Sequence, residues 1–262
     1  MLGLIKSIFG RRDLLTILIG RNLKIRYKSS TLGFFWSLLT PVFLITVYAI
    51  FAGIMKWNTG RKDFLEFLVV GVVVWQFLSV CLNDALHTIT GHSNLIKKTA
   101  FPRSILPLAM VLANLVNFLL TTVVLVLFLA VTHSAFGNLL ILPVVILTQS
   151  ALCLGLGLLI SCCNVFFRDT EHIMGVATLA WFFLSPVFYS VQYQLERIPA
   201  ELAWVAFLNP MTGILCSYRG ILMSDPYPGL VSVGISFSVC WIVLLAGVGV
   251  FQLVESRFAD EL

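Results

Sequence analysis

Six long apolar runs divide this 262-residue chain and restrict its fold more than any other feature. A helix crosses the hydrocarbon core of a bilayer with about 20 mostly apolar residues. No water is present there to hydrogen-bond an exposed backbone, so runs of this length are expected to be helical. We therefore predict an all-α integral membrane protein with six transmembrane helices, placed at Gly33–Met55, Phe64–Leu86, Ile105–Val131, Leu139–Cys163, Met174–Tyr189 and Leu230–Val254.

The overall composition excludes an ordinary soluble domain. The chain is 59% hydrophobic and 11% charged, whereas a typical globular domain is about 45–50% apolar and about 25% charged. The net charge of +5 does not indicate nucleic-acid binding, because the cations lie mostly at the ends of apolar runs. There they meet lipid headgroups and set the orientation of the protein in the bilayer.

The distribution of lysine and arginine predicts that orientation. With the N-terminus inside the cell, twelve of the 17 cations fall on the cytoplasmic side, which is the side that positive charge favours. The remaining five would be external: Lys56, Arg61, Lys62, Arg197 and Arg219. We therefore expect a multi-pass protein of the plasma membrane with both termini cytoplasmic.

Three segments outside the spans carry distinct patterns. Residues 1–31 place Leu14, Leu18 and Ile25 near one helical face beside a cationic stripe, which is typical of an amphipathic helix in the cytoplasmic interface. Residues 87–104 form a cytoplasmic loop. Residues 190–229 are too apolar for a solvated loop and contain several prolines, so short amphipathic or re-entrant helices are expected at the external face.

The predicted spans contain few charged residues, and the sequence lacks a nucleotide-binding motif. Glu66 and Asp84 lie near opposite ends of the second span, and the cores of the others contain no charged residue. Ion-coupled transporters and intramembrane enzymes usually need such groups. The sequence also contains no G-x-x-x-x-G-K-[ST] loop. We expect no catalytic or metal site, and any energy for transport must come from a partner.

Two groups of residues each allow two interpretations. Lys97, Lys98 and Arg103 are either simple positive-inside charges or, with Leu95 and Ile96, part of a docking helix. Aromatic residues in the first and fifth predicted spans either pack and anchor those helices or line a path for a sugar chain.

Four ordered motifs give the chain a family resemblance that covers nearly its whole length. They are "IRYKSSTLGFFWSLLTP" (Ile25–Pro41), "NLIKKTAFPRSILPL" (Asn94–Leu108), "NVFFRD" (Asn164–Asp169) and "LNPMTGILCSYR" (Leu208–Arg219). With these motifs the chain resembles the type-2 ABC exporter permeases of the polysaccharide group, which export O-antigen, capsule or teichoic acid.

The resemblance implies a single transmembrane domain over residues 1–262 and a defined set of partners. Such permeases form homodimers above two copies of a separate ATPase, which holds ATP and magnesium, so this chain would need no cofactor. The cargo would be an undecaprenyl-linked polysaccharide leaving the cytoplasm through the bacterial inner membrane, as in lipopolysaccharide biosynthesis. Residues 190–229 would supply the external gate helices between spans five and six.

The resemblance also suggests roles for particular residues. The candidate substrate channel consists of Phe34, Trp36, Phe43, Tyr48, Trp181, Phe188 and Tyr189. The candidate entry site for the lipid pyrophosphate consists of Arg21, Lys24, Arg26 and Lys28, although headgroup binding also explains these cations. The candidate ATPase-coupling residues are Asn94, Leu95, Ile96, Lys97, Lys98 and Arg103.

Two other functions are carried as alternatives. The same exporter scaffold would serve for a small drug or a lipid, and the aromatic lining is the feature that distinguishes the two cargoes. A membrane-embedded enzyme of glycan or lipid assembly would need convergent polar catalytic groups near one membrane face, and we find no such set in the sequence.

Overall fold

The structure, a computed structural model, describes residues 11–27, 35–55, 63–99, 101–132, 136–167, 169–226 and 228–261. Throughout these ranges the regular secondary structure is helical, as the apolar runs predict. The α-helices are α1 (Arg12–Tyr27), α2 (Trp36–Met55), α3 (Phe64–Thr88), α4 (Ser93–Lys98), α5 (Ile105–Thr132), α6 (Leu142–Phe166), α7 (Thr170–Leu184), α8 (Val191–Leu195), α9 (Pro210–Met223), α10 (Leu230–Val254) and α11 (Phe258–Glu261). Short 3-10 segments lie at Thr90–His92, Leu139–Ile141, Ala200–Leu208 and Glu255–Arg257.

Four helical segments are long and apolar enough to cross a membrane: Phe64–Thr88, Ile105–Thr132, Leu139–Phe166 and Leu230–Arg257. They correspond to the second, third, fourth and sixth predicted spans. The other two predicted spans are the helices α2 and α7. The 15 residues of α7 extend about 22 Å, less than the hydrocarbon thickness of about 30 Å. The count of six spans therefore stays a prediction.

The predicted bounds of the fifth span, Met174–Tyr189, are wrong at both ends. The helix begins earlier, at Thr170, and ends at Leu184. Ser185, which follows, is extended with φ −94° and ψ 146°, because a residue before proline avoids the helical region and Pro186 comes next. The backbone after α7 is thus irregular, and its carbonyl groups must find partners other than the helix itself.

Helix α3 lies at the centre of the molecule. Nearly all of its residues from Phe64 to Trp75 are buried, and it packs against α2, α5, α6, α7 and α9. A helix segment that is apolar on nearly all sides lies in a protein core or in lipid, and the Phe64–Trp75 half of this helix lies in a core. Helix α6 is tied to it by two buried side chains: Gln149 Nε2 donates to the Val74 carbonyl at 2.8 Å, and Asn164 Nδ2 donates to the Leu86 carbonyl at 2.7 Å.

Two apolar clusters mark the opposite ends of the molecule. Leu18 of α1, Ile96 of α4 and Phe258 of α11 belong to one cluster, and we call that end the terminal end. Phe207 and Cys216 belong to another cluster, at what we call the distal end. Helix α10 begins beside the distal cluster and reaches the terminal one near its last turn, so a membrane-length helix separates them.

Helix α9 lies inside the protein. It begins after Asn209, whose side chain accepts a hydrogen bond from the Met211 amide at 3.1 Å, and nearly all of its residues are buried. It packs between α3 and α10. The re-entrant path and the gating role of residues 190–229 both stay predictions.

Helices α6 and α10 form the most extensive helix pair, and two glycines allow their close approach. A Cβ built on Gly155 would lie 2.7 Å from Leu244 Cα, and one on Gly247 would collide with the Gly155 carbonyl oxygen. Small residues at such crossings let backbones touch in membranes, where van der Waals packing rather than the hydrophobic effect holds helices together.

Replacing Gly247 with alanine should therefore destabilise the protein by about 1–3 kcal/mol, because the added methyl group forces α6 and α10 apart. Gly249→Ala is the matched control, since Gly249 lies in the same helix and a Cβ there meets nothing within 4 Å. Thermal unfolding in detergent, followed by size-exclusion chromatography, measures both variants. Equal midpoints for the two would contradict the proposed contact.

Candidate functional site

A groove of about 670 Å³ opens between α2, α3 and α5. Trp36, Phe77 and Phe118 supply aromatic walls. Hydrogen-bonding side chains also line it, and they are Thr40, Gln76, Ser79, Asn83, Asp84, Asn114, Asn117 and Thr121. The apolar residues Pro41, Leu44, Val73 and Val80 complete the lining, most of whose surface is apolar. We call this feature the polar groove. Sequence reasoning missed this groove.

The residue spacing could have revealed the polar groove. Gln76, Ser79 and Asn83 follow one another at i, i+3 and i+7 on α3, and Asn114, Asn117 and Thr121 repeat that spacing on α5. Residues so spaced lie on one face of a helix. The chain reverses direction between α3 and α5, so the two faces run antiparallel and oppose each other across the groove.

Asp84 is held at the terminal end of the polar groove. Asn114 Nδ2 donates to Asp84 Oδ2 at 2.8 Å and also approaches Met110 Sδ at 3.4 Å. Asn114 is 4% exposed, so packing restricts this amide. The bond joins α3 to α5 and directs the carboxyl group.

The polar groove continues toward the terminal end. A second cavity of about 330 Å³ shares Asp84 with it and reaches Asn22 on α1 and His92. A third, of about 550 Å³, lies between α3 and α7 and also borders Asp84. On its rim His87 Nε2 lies 3.8 Å from Glu171 Oε1. Asp84 therefore stands where three cavities meet.

The candidate channel residues of the first predicted span are only partly brought together. Trp36 lines the polar groove, and its ring centroid lies 6.3 Å from that of Phe43. Phe43 is 54% exposed on the outer side of α2, whereas Tyr48 is partly buried against the main core. Phe34 lies outside the described residues.

The candidate channel residues near α7 form a separate group that packs on α3. The Trp181 ring meets the Trp75 ring edge-on at 5.9 Å, and Trp181 Nε1 donates to Asn209 Oδ1 at 2.9 Å. Phe188 packs on Phe182 at 5.0 Å, and the Tyr189 hydroxyl donates to the Phe183 carbonyl at 3.3 Å. These contacts give Trp181 a structural role, which is to connect α7 to the start of α9.

Arg219 is the buried cation that sequence reasoning missed. The orientation count assigned it to the external side, but it is 2% exposed and belongs to α9. Nη1 donates to the Pro186 carbonyl and Nη2 to the Val187 carbonyl, each at 2.6 Å. The guanidinium also lies 3.4 Å from the centroid of the Phe67 ring. Arg219 thus binds the irregular backbone that follows α7 and fastens it to α3 and α9.

The candidate entry cations lie on α1 at the terminal end. Arg21 and Lys24 are exposed, while Leu18, on another face of the same helix, is buried. Arg26 belongs to α1, but its side chain lies outside the description, and Lys28 lies outside the described residues altogether. Of the predicted apolar face, Leu18 is buried and Leu14 packs partly against the same cluster, whereas Ile25 is 56% exposed in the chain. The single apolar face is therefore only partly buried against this chain.

The pKa of His92 depends on its surroundings beside α1. Its Nδ1 lies 2.9 Å from the Thr88 carbonyl. Burial lowers the pKa of His92, the Thr88 hydrogen bond opposes this, and the nearby charge of Arg21 lowers the pKa further. The imidazole is thus held toward its neutral form beside a cationic helix.

The candidate coupling residues divide into an exposed set and a buried one. Asn94, Lys97 and Lys98 are exposed on α4. Ile96 is 4% exposed and packs in the terminal-end cluster, so it anchors α4 to this chain. Leu95 packs partly against the same cluster. Arg103 is turned toward the C-terminal end of the chain, 6.0 Å from the Phe258 ring.

Comparison with known proteins gives consistent matches over the whole chain. Residues 13–223 match the ABC-2 type transporter family. The chain is 31% identical to "O-antigen export system permease protein RfbA" of Myxococcus xanthus over the full length of both chains. Two proteins of that name from Klebsiella pneumoniae are 29% and 30% identical, with 95% of each chain covered.

Replacing Arg219 with methionine should lower the free energy of unfolding by about 3 kcal/mol, because two buried carbonyl groups lose their donors. Arg219→Lys should recover part of the loss, since an ammonium group still donates but lacks the planar fork of the guanidinium. Arg197→Met, at an exposed arginine, is the control. Thermal unfolding in detergent measures the order of stability of the three variants. Equal unfolding midpoints for Arg219→Met and Arg197→Met would contradict this prediction.

Proposed function

Because the chain belongs to the ABC-2 type transporter family, we propose that it moves a lipid-linked, O-antigen-like polysaccharide out of the cytoplasm through the bacterial inner membrane. The observation that carries this proposal is the full-length similarity to permeases named for O-antigen export. The four membrane-length apolar helices agree with a transport subunit. A role in capsule export would require the same chemistry and differs only in the glycan.

The proposed energy source is a separate ATPase. The sequence has no phosphate-binding loop of the G-x-x-x-x-G-K-[ST] type, so ATP and magnesium would be held by the partner. Helix α4 is the proposed contact, because Asn94, Lys97 and Lys98 point away from the core while Ile96 fixes the helix from below. A helix anchored in this way can transmit a movement of the ATPase to the rest of this chain.

The proposed assembly is a homodimer with two ATPase copies, inserted with both termini cytoplasmic. Exposed aromatic residues support a path between copies: Phe43 on α2 is 54% exposed and Phe183 on α7 is 60% exposed. In a single chain the aromatic groups of α2 and α7 meet separate parts of α3. A second copy would be needed to enclose them. The cations Arg21 and Lys24 would then meet the lipid pyrophosphate at the cytoplasmic surface.

Reversing two charges on α4 tests the ATPase contact. In Lys97→Glu with Lys98→Glu, affinity purification in mild detergent should recover at least about fivefold less ATPase than wild type, because a charged contact becomes repulsive. Arg257→Glu is the control, since Arg257 is an exposed cation at the same end of the molecule. Mass spectrometry of the wild-type preparation should find one ATPase in equal amount. An unchanged ATPase yield in the double variant would contradict the contact at α4.

Removing one ring tests the cargo. Trp36→Ala should reduce export of the lipid-linked glycan severalfold, because sugar rings stack on aromatic faces, whereas export of a small drug or lipid would not need that ring. Trp241→Ala is the control, because Trp241 is a tryptophan 49% exposed on α10. Surface glycan is measured in a strain whose own copy is deleted. Wild-type glycan levels with Trp36→Ala would favour the small-cargo alternative.

A further inference from the structure

The C-terminal helix α11 packs against α4, the helix that is the proposed ATPase contact. Phe258 of α11 is fully buried and lies in the terminal-end cluster together with Ile96 of α4. Its ring meets that of Phe251, in α10, at 5.3 Å and that of Phe166, the last residue of α6, at 6.2 Å. Aromatic pairs at such distances attract each other beyond the area that they bury. One side chain therefore connects α4 to the ends of α6 and α10.

Two opposite charges lie beside the Phe258 ring. Arg103 Cζ is 6.0 Å from the centroid of that ring, and Glu255 precedes Phe258 in the chain by one helical turn. The positive charge of Arg103 is close enough to act on the Glu255 carboxyl group. Charges that are partly buried are screened by salt much less than charges on the surface. Arg103 and Glu255 therefore attract each other across the edge of the aromatic cluster.

One charged atom of each residue is buried without a hydrogen bond. Arg103 Nη1 and Glu255 Oε2 have no hydrogen-bond partner in the part of the chain that the structure describes. The neighbouring cation Arg257, by contrast, is exposed. Burying a charged group is costly unless an opposite charge offsets the loss of water. Each of the two residues is therefore well placed to offset the cost of burying the other.

The two residues lie where the loop after α4 meets the end of α10. Arg103 belongs to the loop between α4 and α5, and Glu255 directly follows the last residue of α10. From there α10 extends to the distal end, where Ser236 Oγ donates to the Phe207 carbonyl at 2.7 Å. A movement of α4 that reaches Glu255 therefore reaches a helix that is fixed to the distal elements.

We propose that Arg103 and Glu255 act as a charge pair that positions the loop after α4 against the end of α10, with Phe258 as its apolar support. Both are positioning residues, and Arg103 faces this chain instead of contacting the ATPase as Lys97 and Lys98 do. The role of the pair in export rests on the proposed function, because it requires a partner ATPase that moves α4. The attraction between the two charges does not depend on any partner.

Exchanging the two charges tests the pair in the purified full chain. Arg103→Glu and Glu255→Arg each bring like charges together, so each should lower the thermal unfolding midpoint in detergent by about 2 °C or more. The double variant restores opposite charges and should recover at least about half of each loss. Arg257→Glu is the matched control, because it reverses an exposed cation two residues from Glu255. It should leave the midpoint unchanged and should not rescue Glu255→Arg.

Neutral variants keep the test decisive if a charge reversal prevents folding. Arg103→Gln and Glu255→Gln then replace the reversed variants, and the double variant should lose no more stability than the less stable single variant, because one attraction is lost only once. Losses that add in the double variant, whether reversed or neutral, overturn the charge pair. Rescue of Glu255→Arg by Arg257→Glu would overturn it as well.

The yield of copurified ATPase distinguishes a positioning role from direct contact. Arg103→Glu should recover as much ATPase in mild detergent as wild type, unlike Lys97→Glu with Lys98→Glu. Surface glycan, at equal amounts of folded chain, should fall about fivefold or more with Arg103→Glu and return to within about twofold of wild type in the exchanged variant. Wild-type export by Arg103→Glu contradicts the positioning role. An ATPase yield that Arg103→Glu lowers and the exchange does not restore assigns Arg103 to the ATPase contact and overturns the inference.

These measurements separate this inference from the proposed function. If wild type restores no glycan to a strain whose own copy is deleted, the proposed cargo is wrong, and the unfolding midpoints alone decide the charge pair. If wild type restores glycan and the exchange of charges recovers neither the midpoint nor export, the proposed function stands and this inference fails.

Discussion

Hydrocarbon offers no hydrogen bonds, so a polar group at membrane depth is costly unless it meets another polar group or a cavity. Helix α3 meets this requirement in one way toward α6 and in another way toward α2 and α5. Toward α6 its carbonyl groups accept from Gln149 and Asn164. Toward α2 and α5 its own polar side chains face the polar groove. Because α3 packs against α2, α5, α6, α7 and α9, this division decides which surfaces are sealed and which stay open.

The same constraint explains the distal end. Pro186 stops α7 before it is long enough to cross the membrane alone, and the irregular backbone that follows leaves buried carbonyl groups without helical partners. Arg219 supplies donors to the carbonyl groups of Pro186 and Val187, and Phe67 covers the guanidinium. One residue of α9 thereby stabilises the end of α7 and the start of α3. A buried cation here is a consequence of the broken helix.

The terminal end joins the proposed partner contact to the polar groove. Ile96 of α4 and Leu18 of α1 share one apolar cluster, and α1 borders the cavity that continues from the groove through Asp84. Helix α1 therefore contacts both the cluster that holds α4 and the cavity that continues from the groove. This arrangement depends on side chains distant in sequence. Both interpretations of Lys97, Lys98 and Arg103, as orienting charges or as part of a docking helix, stay predictions.

Length and composition were enough to predict the helices, because a segment surrounded by lipid must hydrogen-bond its own backbone groups. The four membrane-length segments and the bounds of α10 follow from that argument. Motif order was enough to predict the family. Hydrophobic periodicity does not encode how helices pack against one another. Helix packing decides that Arg219 is buried, that Trp36 lies apart from Trp181, and that Ile96 faces inward. The two polar stripes were visible at i, i+3 and i+7 on α3 and α5, but only the antiparallel packing of these helices turns two stripes into one groove.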